Sequence, residues 1–204
     1  AASGKGTIAN YIKKEFKFYH IDSGLLYRKI AKIFLEKKID INNKKQFVSI
    51  LKNIKTIPIS NSKKLRTLKV SKMTSEISKI SKIRNLVNFN QREILNKNRK
   101  KYRGFVIDGR DIGSVVFKNA QIKLFIRTSP KIRAKRRFKE LNDRGEKSIY
   151  SNVLKEIKLR DKTDINRKNS PLVIPSGAII VNNSNSLKAT NLKIKKIITR
   201  YLES

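Results

Sequence analysis

The stretch Ala1-Ala2-Ser3-Gly4-Lys5-Gly6-Thr7 sets small residues, glycines and a lysine directly ahead of a helical apolar pattern formed by Ile8, Tyr11 and Ile12. The chemistry that suits this spacing is the cradling of phosphate. Backbone amides turn inward around an anion at the mouth of a helix, and a bulky side chain would block its approach. Lys5 adds a flexible point charge for the outer phosphates. On these seven residues alone the stretch reads either as a phosphate loop or as a Gly-containing turn before an ordinary helix. The full GxxxxGK pattern would place its first Gly two positions ahead of Ala1. The start of the loop and the first strand feeding it are therefore expected to be missing from this chain.

A second set of residues lies near the other end. Arg160 and Asp164 are four apart and Asp164 and Arg167 three apart, so on a helix all three project on one face. One reading is a surface salt-bridge ladder, worth only tenths of a kcal/mol per pair. In the other, the helix stops there and the three face a ligand, with Asp164 accepting from ribose hydroxyls and the two guanidiniums gripping phosphate. Two further polar clusters, Asp22-Ser23-Gly24 with Tyr27-Arg28 and Asp108-Gly109-Arg110-Asp111, each follow an apolar run. His20 is the only histidine and reads as a structural strand residue. There is no Cys, which excludes disulfides and thiolate metal sites, and no Ser-His-Asp arrangement.

Strands alternating with helices are what would position these groups. Phe18 to Ile21 reads as a short strand, and Asp22-Ser23-Gly24 can cap a helix carrying Leu26, Ile30, Ile33 and Phe34. Phe47, Ile50 and Leu51 suggest a helix, Ile57-Pro58-Ile59 an edge strand, and Ser60-Asn61-Ser62 a turn. Two helical patterns follow, near residues 70–80 and through Ile83, Leu86, Val87 and Ile94. Gly104 to Asp108 has the pattern of a parallel strand buried on both faces, its polar group at the carboxyl edge where α/β sheets bind ligands. Residues 122–126 form another strand, and Ser129-Pro130 supplies an N-cap and an N1 proline for the helix carrying Arg133, Arg136 and Arg137. After a break at Asn142 to Gly145 come a helix through Leu154 and Ile157, a last strand at 178–181 and a closing amphipathic helix. The class is α/β with a parallel sheet.

At 204 residues the chain can fill one core with small appendages. Lys and Arg number 50 against 15 Asp and Glu, a formal charge of +35. A nucleic-acid surface would gather such charge along a groove interleaved with aromatics. Here the lysines are scattered through every segment and aromatics are 7%, which favours a general drift toward Lys, Ile and Asn. Non-specific, salt-sensitive polyanion binding is expected either way. No apolar run approaches the ~20 residues that span a bilayer, and a cytoplasmic location is expected.

Read together and in order, four segments resemble bacterial cytidylate kinases, within the P-loop nucleoside-monophosphate kinases. They are Ala2 to Thr7, Asp22-Ser23-Gly24 with Tyr27-Arg28, Asp108 to Asp111, and Arg160 to Arg167. The resemblance implies a P-loop kinase fold in a single domain, with a helical nucleotide-binding insertion at about 37–100 and a mobile lid at about 136–152. It implies transfer of the γ-phosphoryl of ATP to CMP or dCMP, with Mg²⁺ as cofactor and a monomer as the working unit. By the same resemblance, the loop residues Ala1, Ala2, Ser3, Gly4, Lys5, Gly6 and Thr7 hold ATP, helped by Arg136 and Arg137. Arg28 and Arg110 hold the acceptor phosphate, alongside Ser23. Ser75, Arg84 and Asp111 read the cytosine, with Ser78 the alternative to Ser75. Arg160, Asp164 and Arg167 contact nucleotide sugar and phosphate. Thr7 and Asp108 are the metal partners, directly or through water. Another small acceptor, or a basic nucleic-acid-associated protein with a degraded kinase fold, are the competing readings. The stretch Val181-Asn182-Asn183-Ser184 stands where the resemblance calls for a strand-end Asp.

Overall fold

Apolar residues recur at helical spacing along the chain, and among the described residues its computed structural model is accordingly a set of helices with four short strands. The structure describes residues 2–54, 65 and 67–203. In chain order the elements are α1 (Lys5–Phe16), β1 (Tyr19–Asp22), α2 (Ser23–Glu36), α3 (Lys44–Asn53), α4 (Leu68–Ile77), α5 (Ser81–Asn98), β2 (Phe105–Asp108), β3 (Leu124–Arg127), α6 (Pro130–Asn142), α7 (Tyr150–Asn166), β4 (Ile179–Asn182) and α8 (Leu187–Glu203). A one-turn π segment, Ile112–Val116, follows Asp111. It was not read from the sequence, since five residues carry no periodic signal. The strand and turn expected at 57–62 lie outside the described residues, as does Ala1.

The chain forms two compact units, one of Ala1–Phe16 with Arg110–Ser204 and the other of Lys17–Gly109. The insertion expected at about 37–100 falls within the second. Here β1 and β2 pair in parallel, with Tyr19 opposite Phe105 and Asp22 opposite Asp108. Leu26, Ile30 and Phe34 of α2 meet Val70 and Ile77 of α4 and Ile83 and Val87 of α5 in one apolar cluster. Their burial, at about 1.5–3 kcal/mol per large side chain, is what holds helices of this length in place. Asp22 caps α2 by accepting from Leu25 N at 2.9 Å, Asn43 caps α3 and Thr67 caps α4. Although Phe105, Val106 and Ile107 are apolar, β2 is half-buried along its whole length.

In the first unit β3 and β4 pair in parallel, with Arg127 opposite Asn182. Among the described residues each unit thus holds one pair of parallel strands. Ile179 and Ile180 of β4 are exposed while Val181 is buried. Helices α6 and α7 close on Ala134, Leu141, Val153 and Ile157, with Phe138 and Tyr150 edge to face. Ser129 caps α6 and Pro130 opens it, as read from the sequence. Helix α8 buries Ile194 and Ile198, and Lys195 pairs with Glu15 of α1.

Candidate active site

Gly4 has φ +86°, the left-handed region that favours glycine, and Ile8 N donates to its carbonyl at 2.9 Å to start α1. Ala2 is also left-handed, at φ 53°. Ser3 is buried, Thr7 is exposed, and Lys5 Nζ donates to Ser3 Oγ at 3.2 Å. A small-residue turn entering a helix N-terminus therefore forms at the residues expected to bind phosphate.

What shapes that turn comes from far along the chain. Ser3 O accepts from Asn183 Nδ2 at 2.8 Å and from Thr128 Oγ1 at 3.2 Å. Thr128 follows β3 and Asn183 follows β4, so adjacent parallel strands present two donors side by side. Arg136 Nη2 donates to Asn183 O at 2.9 Å, which brings Arg136 beside the loop. Arg137 instead pairs with Glu140 on its own helix at 2.9 Å. Neither Thr128 nor Asn183 was singled out as a site residue. The available signal was a polar residue ending an apolar strand, the same one that marked Asp108.

The α7 cluster is assembled where the helix stops. Arg167 is its C-cap residue, and it donates through Nε to Ser170 O at 2.5 Å. Asp164, 4% exposed, pairs with Arg167 at 3.5 Å and with Arg110. Two guanidiniums 57 residues apart in sequence, 167 less 110, thus share one carboxylate. This is not a solvated ladder, since the side chains of Asp164 and Arg167 are both 6% exposed. Arg160 lies one turn back on α7 and is half-buried. Asp111 is buried, its carbonyl accepting from Val115 N and Val116 N of the π turn. Behind this cluster Arg133 grips Asp161 with both terminal nitrogens, at 2.8 and 2.5 Å, and donates through Nε to Thr128 O at 3.0 Å. Burial pushes the Asp161 carboxyl up, but the Arg133 hydrogen bonds and charge outweigh it and hold it below the ordinary range.

In the second unit Arg84 is buried at 3% exposure, not on an open helix face. Its Nη1 donates to Ser78 O at 2.8 Å, and the guanidinium stands 5.9 Å from the Tyr27 ring centroid. Ser78 Oγ donates in turn to Ser75 O at 3.1 Å, so both candidate serines sit at the α4 end, Ser78 against Arg84. Arg28 lies beside Asp22 and Gly24, and Ser23 is buried in the first turn of α2. Asp108 pairs with His20 at 3.4 Å.

Burial, and then the charge of Asp108 next to it, hold the Asp22 carboxyl above the ordinary range, against the opposing pull of the Leu25 amide, Arg28 and His20. A carboxyl raised on folding contributes stability below its unfolded value, and that contribution is lost as pH rises through the folded value. Asp22→Asn keeps an N-cap of equal quality and removes the charge. Urea melts of the pair are expected to coincide at pH 3.5 or so and to separate in favour of the variant as pH rises to 7. A constant gap across that range would remove Asp22 as its source.

Oxygen donors for a divalent cation are present in Thr7, exposed in the first turn of α1, and in Asp108 at the carboxyl end of β2. Among the described residues no cluster of three or more His, Cys, Asp or Glu could hold a metal ion. Each is an oxygen donor of the kind Mg²⁺ takes, and this ion, which keeps most of its waters when it arrives with a phosphate ligand, needs only one or two protein oxygens.

The family model for cytidylate kinase matches residues 1–203. A cytidylate kinase of Fusobacterium nucleatum subsp. nucleatum is 37% identical over 208 residues, spanning 97% of this chain and 90% of that protein. Those of Rickettsia rickettsii (strain Sheila Smith) and Flavobacterium johnsoniae are each 34% identical, the first over 204 residues and the second over 202. The Rickettsia alignment spans 100% of this chain and 89% of the relative, and the Flavobacterium alignment 90% and 86%.

Proposed function

The chain belongs to the cytidylate kinase family, and we propose from that premise how its residues divide the transfer of the γ-phosphoryl of ATP to CMP or dCMP. Both substrates are polyanions, so the work is alignment and charge neutralisation rather than bond-making by the protein. The acceptor phosphate has a second pKa of ~6 and is largely ionised near neutrality. It needs no general base.

Residues 1–7 turn their amides on the donor phosphates, with Lys5 as the mobile cation and Arg136 beside the loop. Arg137 adds charge from the next position of α6. Arg28 and Arg110 bind the acceptor phosphate, and Ser23 packs at the head of the helix that carries Arg28. Asp111 accepts from the exocyclic amine of cytosine, while Ser75 and Arg84 donate to its acceptors. Arg160 and Arg167 take nucleotide phosphate and Asp164 the sugar hydroxyls. Mg²⁺, held by Thr7 and Asp108 directly or through water, would supply further neutralisation of the β- and γ-oxygens. The segment 136–152 acts as a lid that excludes water. The working unit is a monomer, and it acts in the cytoplasm. Among the described residues no helix is long and apolar enough to cross a membrane.

The observation that carries this reading is the pair Arg110 and Arg167 meeting on Asp164 where α7 ends. ADP release with CMP, dCMP, UMP and AMP as acceptors tests it. CMP is expected to exceed AMP in kcat/KM by about 100-fold or more, the discrimination a site gains by hydrogen-bonding a base edge. Equal rates with AMP would reject the roles of Ser75, Arg84 and Asp111.

A further inference from the structure

We infer that Asn183 is a positioning residue for the donor nucleotide, and that it acts through the Ser3 carbonyl with Thr128 as its second prong. The inference rests on the kinase reading above and goes beyond it, because it assigns the curvature of the phosphate loop to the ends of β3 and β4.

Asn183 is 1% exposed and makes three contacts of different kinds. Its main-chain N donates to Arg127 O at 2.8 Å, which extends the β3–β4 ladder one step past Asn182. Its carbonyl takes Arg136 Nη2 at 2.9 Å. Its side-chain amide donates to Ser3 O at 2.8 Å. The opposite amide orientation would set Oδ1 against that carbonyl, so the side chain is used as a donor. Among the described residues its Oδ1 is buried without a hydrogen-bond partner. Leaving a buried acceptor unmade is unfavourable, and an apolar residue would fill the space without that penalty. A donor at this point is therefore what the position supplies.

Gly4 shows how closely the amide fits the loop. A Cβ added there would lie 2.3 Å from Asn183 Nδ2 and 3.7 Å from Arg136 Nη1. The glycine is required both by φ +86° and by this approach. With Thr128 Oγ1 at 3.2 Å from the same oxygen, the Ser3 carbonyl is pulled toward the strand ends. The peptide that follows is thereby turned, and with it the amides that open α1. The same strand ends reach α6 through Arg136 and Arg133, so the loop and the helix of the expected lid share one anchor.

The test compares Asn183→Leu, near in volume but without a donor, and Thr128→Val, which removes only the hydroxyl. Each is assayed by KM for ATP, KM for CMP, thermal midpoint and calorimetric ATP binding. For Asn183→Leu the KM and Kd for ATP are expected to rise about tenfold, roughly one hydrogen bond, with KM for CMP unchanged within about twofold. Thr128→Val should move ATP in the same direction by about threefold, its bond being the longer. Should Asn183→Leu not fold, Thr128→Val alone decides. ATP constants unchanged within about twofold in a folded variant would overturn the inference. So would equal rises in both KM values with a falling midpoint, which is general destabilisation. If the variants shift the Kd for ATP in this way while the wild type does not phosphorylate CMP, the kinase reading fails and the loop anchor stands. If it binds no ATP, both fail.

Discussion

Lys5→Ala is expected to lower kcat/KM for CMP phosphorylation by about 10²–10³-fold, the usual cost of deleting one preorganised charge from a transition state. Little stability should go with it. Lys5 sits in the first turn of α1, where a cation is unfavourable toward the positive end of the helix and is useful only to a bound anion. Its Nζ donates to Ser3 Oγ at 3.2 Å. Lys5→Arg should not restore activity, because a planar guanidinium cannot replace a compact ammonium on a flexible stem in a loop shaped by small residues. A coupled assay of ADP formation measures the loss and a thermal melt shows that the fold is kept. Activity within a few-fold of wild type in a folded Lys5→Ala protein would remove the lysine from the mechanism, and with it the phosphate role of the loop.

Asp164→Ala should be the most damaging change outside the apolar clusters. Removing one partner of a buried ion pair leaves its cations uncompensated, at a cost of about 3–5 kcal/mol. Two cations are left here, Arg110 and Arg167. Arg110, with its side chain 22% exposed, can turn to water, whereas Arg167 at 6% cannot. The lower end of that range is therefore expected in urea unfolding. The Asp164 main chain also accepts from Leu172 N at 2.7 Å, which the substitution does not touch, so the turn after α7 should persist. A double variant with Arg167→Met should be less destabilised than the sum of its parts, since it removes the stranded charge. Turnover should fall at least 100-fold, because the arginines assigned to phosphate lose the group that spaces them. A loss under 1 kcal/mol with additive effects would return the cluster to the surface ladder that its spacing also allowed.

Local chemistry was legible without coordinates. The N-caps at Asp22 and Ser129, the proline opening α6, the strand before Asp108 and the shared helical face of Arg160 and Asp164 all rest on groups within four residues of one another. Burial was less legible. The apolar run of β2 suggested cover on both faces, yet the strand is half-buried, since cover depends on neighbours that the run itself does not encode. Arg84 is the converse, a charged residue at an unremarkable helix position that the structure buries at 3%.

The sequence by itself determined the class of fold, the small-residue turn that opens α1 and the family, because small residues ahead of a helix and ordered short motifs act through nearest neighbours. Only the tertiary structure decided what holds that loop. Ser3 meets Thr128 across 125 positions and Asn183 across 180, and Arg110 meets Asp164. A hydrogen bond between residues so far apart leaves no period or spacing in the chain. It exists because parallel strands end side by side and project their next side chains toward one carbonyl.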